Sequence, residues 1–241
     1  MDPATTLPKR THSPVSMLDP AAQIEIVAFE WVPDFAQGHV RDLRPRWACE
    51  EAGLPYRERL ISVMDKPAWY LDEQPWGQVP ALRHGDLHVF ESGATLLHLG
   101  EKSETLLPRD AARRSEAICW LFAAFNTVEP PLMEYGNVTL FAAGEEWAKL
   151  RLPSLEAFIR TRLAPLERRL ATSEWLGEAF TIADIAMVSA LRALEDSDLL
   201  AEHSATFAYV ERGKARPAFQ RAIADQLAAF ARHPQPQMEG A

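Results

Sequence analysis

A proline at the start of an apolar run limits how residues 77–90 can fold more than any other feature of this 241-residue chain. Pro80, in Gly-Gln-Val-Pro-Ala-Leu, has no backbone N–H, so it can begin a strand but cannot donate a hydrogen bond within a sheet. A proline in a tight turn at this place predicts a cis Val79–Pro80 bond. We expect such a turn to direct the N–H and C=O of Val79 outward, where they can pair with an extended, peptide-like ligand.

A second signal follows at Glu91 and Ser92. A strand-like apolar stretch, residues 87–90, ends there and a helical pattern begins. Ser92 is predicted to be the N-cap of that helix, and the free amides of a helix N-terminus bind anions. Together the two signals predict one pocket, in which a backbone clamp lies beside a site for a carboxylate.

Strand and helix signals alternate through the first half of the chain. The predicted elements are a strand at 24–29, a helix at 46–52, a strand at 56–63, a hairpin of strands at 79–82 and 87–90, and a helix at 92–101. This βαβ unit followed by a hairpin and a helix indicates an α/β thioredoxin-like domain. We assign that domain to residues 24–102, after an irregular N-terminal extension at 1–23 and before a linker at 103–110.

The second half, residues 111–241, is predicted to be an all-helical domain. A helical pattern from residue 111 to 128 is expected to stop at Pro130-Pro131, and a long helix at 147–171 is expected to bend near Pro165. Thr181-Ile-Ala-Asp184 has the pattern of a helix capping box. Arg216-Pro217 is expected to open a final helix, since proline is favoured at the first helical position.

Composition and charge limit the kinds of binding partner and the cellular compartment that this chain is expected to have. A net charge of −9, with no run rich in lysine or arginine, argues against nucleic acid or an anionic membrane surface as the main partner. No apolar stretch approaches the length that spans a bilayer. Cys49 and Cys119 stand alone, which is typical of a reducing compartment, so we predict a cytoplasmic protein. The seven histidines lack metal-ligand spacing, and no metal is expected.

The order Val-Pro, strand, Glu-Ser, helix resembles the glutathione-binding half of the glutathione S-transferase superfamily. The helical half resembles that family's second domain, in which a capping box follows a Trp-Leu segment such as Trp175-Leu176. The resemblance spans roughly residues 24–230 and implies that glutathione is a co-substrate and that the protein is a homodimer. It also implies that glutathione is bound by Gln78, Val79, Pro80, Glu91 and Ser92.

The resemblance further places a thiol-activating residue at the start of the first helix. Counting back from Ala48-Cys49-Glu50-Glu51 puts that position on Arg41 and Asp42, where no Tyr, Ser or Cys stands. Arg41 is the candidate catalytic residue because a guanidinium near a helix N-terminus adds to the positive potential around a bound thiolate. The alternative is a solvated arginine paired with a nearby carboxylate. Asp42 is expected to be the helix N-cap, and Cys49 to be buried in packing.

The second substrate is expected between the domains. Trp31, in an unusually long loop, and Trp120, on the first helix of the helical domain, are the candidate pocket residues, with Phe122, Phe125 and Asn126 beside them. For each aromatic residue the alternative is a role in core packing, although ligand pockets are lined by such side chains.

These observations predict a glutathione transferase that stabilises the glutathione thiolate and conjugates it to a small hydrophobic electrophile, as in detoxification. A non-catalytic binding or interaction module with the same fold is the alternative, because the usual hydroxyl or thiol is missing. A thiol–disulfide oxidoreductase needs a nucleophilic cysteine at the first helix, where Arg41 and Asp42 stand.

Overall fold

The computed structural model describes residues 15–233 and residue 235. Residues 1–14 of the predicted extension therefore lie outside the described residues. The first half contains a four-stranded sheet of order β2-β1-β3-β4, in which β1 is parallel to β2 and antiparallel to β3. The strands are β1 (Ile24–Phe29), β2 (Tyr56–Ile61), β3 (Ala81–His84) and β4 (Leu87–Phe90).

Three helices accompany this sheet: α1 (Leu43–Ala52), α2 (Tyr70–Glu73) and α3 (Ser92–Gly100). The predicted start of α1 at residue 46 was wrong, because Pro45 lies in the first turn, where its missing N–H costs no hydrogen bond. The mixed sheet and its helices confirm the predicted thioredoxin-like arrangement.

The second half is helical throughout the described residues. Its elements are α4 (Ala111–Ala123), a π-helical segment (Ala124–Val128), α5 (Glu129–Gly136), a second π-helical segment (Asn137–Phe141), α6 (Glu146–Leu170), α7 (Ile182–Leu191), α8 (Asp198–Ala201), α9 (Ser204–Lys214) and α10 (Pro217–Arg232). The predicted stop at Pro130-Pro131 was wrong, because both prolines fall in the first turn of α5. The predicted capping box at Thr181 and Asp184 is confirmed.

Helix α1 packs against both halves of the molecule. The indole of Trp47 is fully buried, with the ring of Phe219 from α10 at 4.9 Å and that of Phe180 at 5.7 Å. Buried carboxylates on the same helix form ion pairs with α10, Glu50 with Arg221 and Glu51 with Arg216. Helix α1 is therefore held firmly between the two domains.

Residues just before β1 extend the sheet at its β2 edge. The N–H of Tyr56 donates to Met17 at 3.0 Å, and the N–H of Asp19 donates to the carbonyl of Tyr56 at 2.7 Å. The N–H of Met17 donates to Glu50 at 2.7 Å, and the hydroxyl of Ser16 contacts Glu50 and Asp225.

None of the helices in the described part of the chain combines the length and the apolar character needed to cross a membrane.

Candidate functional site

The turn before β3 presents a free stretch of backbone. The Val79–Pro80 bond is cis, as predicted. The turn is fixed from behind, because the hydroxyl of Tyr70 donates to the carbonyl of Gln78 at 2.6 Å and the N–H of Gln78 donates to the buried side chain of Gln74 at 3.2 Å. Within the described residues, neither the N–H nor the C=O of Val79 has a hydrogen-bond partner. These two groups remain available to a ligand.

Glu91 and Ser92 form the start of α3, but Glu91 and not Ser92 holds the N-cap position. Glu91 holds the N-cap position, makes no side-chain capping bond, and has a φ of 68°. Such a left-handed conformation in a residue other than glycine costs about 1–3 kcal/mol. Ser92 is the first residue of the helix and is 5% exposed. The predicted N-cap role of Ser92 was wrong, since its hydroxyl points to a partner on α1.

That partner is Arg44, which the sequence analysis missed. Its Nη1 donates to Ser92 Oγ at 2.9 Å and its Nη2 to Glu129 Oε1 at 2.7 Å, while its guanidinium lies 5.0 Å from the ring centre of Phe125. Arg44 is 3% exposed, and its buried Nε has no protein partner. Burial lowers the pKa of Arg44, and the charge of Glu129 opposes this shift. The buried guanidinium places a positive charge directly behind the Ser92 hydroxyl, which favours an anionic group at that hydroxyl.

Arg41 lies on the same face of the cleft and also contacts Glu129. Its Nε and Nη2 lie 3.0 Å and 2.9 Å from Glu129 Oε1, and its side chain is 37% exposed while that of Glu129 is 7% exposed. Burial favours the neutral acid, but the charges of Arg44 and Arg41 hold the pKa of Glu129 below its ordinary value. Arg41 therefore lines the cleft, as expected of a catalytic residue. It is also paired with a carboxylate, as expected in the alternative interpretation.

Arg41, Arg44, Glu91, Ser92 and Glu129 line one cleft of about 550 Å³ between the domains, together with apolar side chains. Gln78, Val79 and Pro80 are not among its lining residues. The lining residues are Arg41, Arg44, Glu91, Ser92, Gly93, Ala94, Leu97, Leu121, Phe122, Phe125, Asn126, Glu129, Pro130 and Met133. The first π-helical segment supplies Phe125 and Asn126, and such segments occur frequently at functional sites.

The two predicted pocket tryptophans do not belong to this lining. Trp120 is partly buried and packs against the hydrophobic core, and Trp31 is half-buried in the loop after β1. Their neighbours in the prediction, Phe122, Phe125 and Asn126, do line the cleft.

Two other residues near α1 take structural roles. Asp42 holds the N-cap position of α1 as predicted, but its buried carboxylate accepts from Arg46 at 2.8 Å and Gln226 at 2.7 Å rather than from the helix amides. Burial raises the pKa of Asp42, and Arg46 and Gln226 oppose that shift. Cys49 is fully buried, and burial raises the pKa of its thiol far above the ordinary value, so it is not a nucleophile at neutral pH.

Arg44 and Glu129 were not predicted, and only one feature of the sequence indicated either of them. Arg44 follows Arg41 at a spacing of three, which places both guanidinium groups on one face of a helical turn. Glu129 lies 85 residues from Arg44, so no local pattern connects the two.

Comparisons with known proteins agree with this fold. Residues 36–101 match the family model for the glutathione S-transferase N-terminal domain. Glutathione S-transferase tcpG of Claviceps purpurea is 30% identical over 60% of this chain, an alignment that spans 64% of that protein and thus less than two thirds of its length. The disulfide-bond oxidoreductase YfcG of Escherichia coli is 31% identical over 72% of this chain and 86% of its own length. The chain belongs to the glutathione S-transferase superfamily.

A solved structure of the family adds a ligand to the comparison. A glutathione transferase from Burkholderia graminis, crystallised with two glutathione molecules bound per subunit, is 28% identical with a TM-score of 0.74. The match covers 85% of this chain and 90% of that one. The predicted family is therefore confirmed together with the predicted fold, a thioredoxin-like domain followed by a helical one.

Proposed function

We propose that this protein is a cytoplasmic glutathione transferase that conjugates glutathione to a small hydrophobic electrophile. The observation that carries the proposal is the buried cluster of Ser92, Arg44 and Glu129, in a chain whose Val79 backbone precedes a cis proline and has no hydrogen-bond partner among the described residues. A tripeptide with a zwitterionic γ-glutamyl end needs such a combination, because a peptide backbone, a carboxylate and an ammonium group must all find partners.

In this proposal the backbone of Val79 pairs with the cysteinyl unit of glutathione, as an added strand does. Gln78 and Pro80 shape the turn around it. Ser92 receives the γ-glutamyl carboxylate beside the buried charge of Arg44, and Glu91 and Glu129 face the ammonium group. Glutathione bound in this way directs its sulfur toward the start of α1.

The chemistry is a nucleophilic substitution at the electrophilic carbon, with the glutathione sulfur as the nucleophile. Arg41 stabilises the thiolate, whose proton has passed to solvent, and the sulfur attacks the electrophilic carbon. A carbon–sulfur bond forms while the bond to the leaving group breaks, and the leaving group departs with its electron pair. Phe122, Phe125 and Met133 supply an apolar wall for the electrophile, and in this proposal Trp31 and Trp120 border that pocket from outside its lining.

A second candidate reaction is the reduction of a small disulfide by glutathione, which is favoured by the similarity to YfcG. Cys49 is buried, so the attacking sulfur in this reaction would be that of bound glutathione. The thiolate attacks one sulfur of the disulfide, a mixed disulfide forms, and the other sulfur leaves as a thiolate.

The first test is a calorimetric titration of the protein with glutathione, using Ser92→Ala and Ser189→Ala as a matched pair. Ser92→Ala removes the hydroxyl that orients Arg44, and a hydrogen bond to a charged group is worth about 1.5–3 kcal/mol, so affinity should fall about tenfold or more. Among the described residues, the hydroxyl of Ser189 bonds to its own helix alone, at the carbonyl of Ile185, and its replacement should leave affinity unchanged. Equal affinities for the two variants would remove Ser92 from the site.

Activity assays distinguish conjugation, disulfide reduction and binding without catalysis. We expect conjugation of an aryl halide such as 1-chloro-2,4-dinitrobenzene, whereas reduction of bis(2-hydroxyethyl) disulfide without conjugation would favour the oxidoreductase. Tight glutathione binding with neither activity would favour the non-catalytic binding module.

A further inference from the structure

Gln226 is a fully buried glutamine on α10 that no step of the proposed reaction uses. Its Nε2 donates to the carbonyl of Val40 at 3.1 Å and to the carboxylate oxygen Oδ1 of Asp42 at 2.7 Å. These two acceptors belong to the residues immediately before and after Arg41. One side chain of the helical domain therefore holds the chain on both sides of Arg41.

The stretch that leads into Arg41 is attached to the same domain. Arg192 donates to the carbonyl of Gly38 at 2.7 Å. A Cβ on Gly38 would lie 3.5 Å from the side chain of Ile223, which is three residues before Gln226 on α10. The backbone from residue 38 to residue 42 therefore packs closely against the helical domain and is bonded to it at specific carbonyls.

The side chain of Arg41 has little else to fix its direction. Its contact is with Glu129 on α5, where Nε and Nη2 lie 3.0 Å and 2.9 Å from Oε1, and the side chain is 37% exposed. An ion pair at such exposure contributes little to holding a long side chain in one conformation, because solvent screens it and the ordering costs entropy. The position of the guanidinium therefore depends on where the backbone of Arg41 is held.

The polar character of Gln226 argues against a role in packing alone. Its Nε2 has two hydrogens and two acceptors, but its Oε1 is buried without a hydrogen-bond partner among the described residues. A buried polar atom without a partner costs free energy, whereas an apolar side chain of the same length fills the space without this cost. A glutamine that breaks this rule is expected where the bonds it does make serve a site.

We propose that Gln226 is a positioning residue, which holds the chain around Arg41 so that the Arg41 guanidinium lies beside the sulfur of bound glutathione. The inference rests on the proposed function, in which Arg41 stabilises the thiolate, and adds the residue of the other domain that determines where Arg41 lies. Without the two bonds from Gln226, residues 40–42 withdraw from α10 and the guanidinium moves away from the sulfur.

The test is a pH titration of thiolate absorbance in the glutathione complex of the full chain. The variants are Gln226→Met, Arg41→Gln and their combination, with Gln220→Met as a matched control. Methionine has the length of glutamine but donates no hydrogen bond. Gln220 is an exposed residue of the same helix, and it donates to the carbonyl of Lys214 at 2.7 Å rather than to the segment around Arg41.

Gln226→Met should raise the pKa of the bound thiol by about half or more of the shift that Arg41→Gln produces, because the energy between two charges falls with their distance. In the Arg41→Gln background, Gln226→Met should cause no further shift, because both changes remove the same interaction. Gln220→Met should titrate as wild type does. The other charged groups of the cleft lining are the same in every variant: Arg44, Glu91 and Glu129.

A Gln226→Met protein that titrates as wild type, while Arg41→Gln is shifted, would overturn the positioning role and leave the proposed function in place. Equal shifts from Gln226→Met with and without Arg41 would also overturn it, since the effect would not act through that arginine. If Arg41→Gln causes no shift, Gln226 has no thiolate-stabilising group to position, and the conjugation assay still decides the proposed function. A wild type that does not bind glutathione would overturn both.

Gln226→Asn is the second variant if the methionine variant does not fold. Its amide is one methylene too short to reach both acceptors, so it should shift the pKa of the bound thiol in the same direction. Midpoints that coincide for Gln226→Asn and wild type would count against the positioning role in the same way.

Discussion

Glu129 accepts hydrogen bonds from two arginines of the other domain, and this arrangement determines how much positive charge reaches the cleft. Arg41 and Arg44 together carry two charges against the one carboxylate they contact, which leaves one net positive charge in this cluster beside the start of α1; the second carboxylate of the cleft lining, Glu91, lies at the start of α3. The N-terminal end of a helix adds further positive potential at the same place. In the proposed complex, this potential would favour the thiolate of bound glutathione, although no hydroxyl or thiol side chain stands at the position where the family usually places one.

We predict that Arg41→Gln raises the pKa of the thiol of bound glutathione by about half a unit to one unit, equivalent to roughly 1 kcal/mol. The shift is modest because the Arg41 side chain is 37% exposed and solvent screens its charge. The measurement is thiolate absorbance as a function of pH in the bound complex. Arg41→Lys keeps the charge and should titrate close to wild type. If the midpoints of wild type and Arg41→Gln coincide, Arg41 is not the stabilising group.

At the scale of secondary-structure elements, the buried side chain of Asp184 helps to cap the N-terminal end of α7. The carboxylate of Asp184 accepts from the N–H groups of Thr181 at 2.8 Å and Leu176 at 3.0 Å and from the hydroxyl of Tyr209 at 3.0 Å. Burial raises the pKa of Asp184 to about 6, and these donors offset only part of the shift. Protonation of Asp184 therefore stabilises the folded state relative to the unfolded chain, although the capping hydrogen bonds themselves favour the carboxylate.

We predict that the stability difference between wild type and Asp184→Asn depends on pH. The folded pKa of about 6 lies above the unfolded one of 3.8, so protonation stabilises the fold, and this contribution is lost as the pH rises through about 6. Lowering the pH from 7 to 5 should raise the free energy of unfolding of wild type relative to Asp184→Asn by about 1 kcal/mol. Urea unfolding at both values measures it. A difference that does not change with pH would show that Asp184 titrates normally.

Two helical glycines differ in what an added methyl group would meet. A Cβ on Gly213, in α9, would lie 2.8 Å and 3.0 Å from methyl groups of Val188 on α7, whereas a Cβ on Gly136, in α5, would meet nothing within 4 Å. We predict that Gly213→Ala destabilises the fold by about 1–3 kcal/mol through overpacking, while Gly136→Ala stabilises it by up to about 1 kcal/mol. Thermal unfolding compares the two, and similar melting temperatures would show that α7 and α9 can move apart.

The sequence predicted best the features that depend on neighbouring residues. The turn at Pro80, the capping box at Thr181 and the helix that begins at Pro217 are each specified within a few positions. The path of the chain through Pro130-Pro131 depends on the π-helical segment before it, which has no simple sequence pattern. The pairing of Arg44 with Glu129 was not predictable, because it arises only when the two domains come together.

At the scale of the whole molecule, two exposed aromatic side chains bear on whether copies of this chain associate. Trp76 and Phe90 are 66% and 38% exposed, and their ring centroids are 5.8 Å apart. Phe90 ends the strand that leads into α3. We predict a homodimer that buries this region, so sedimentation should give particles of twice 27.0 kDa at micromolar concentration. Trp76→Ala should shift the protein toward monomers, whereas Trp147→Ala, at a site 50% exposed on α6, should not. Particles of 27.0 kDa alone in wild type would contradict the prediction.

The short stretch from Ser16 to Asp19 has a practical consequence for producing this protein. It covers the outer edge of β2 and supplies two of the groups that bond to the buried carboxylate of Glu50. A shortened chain that starts at residue 20 would leave β2 as a bare edge, open to pairing with another molecule. Affinity tags and protease sites are therefore better placed before residue 15 than inside this stretch, and loss of solubility is the expected sign of trimming too far.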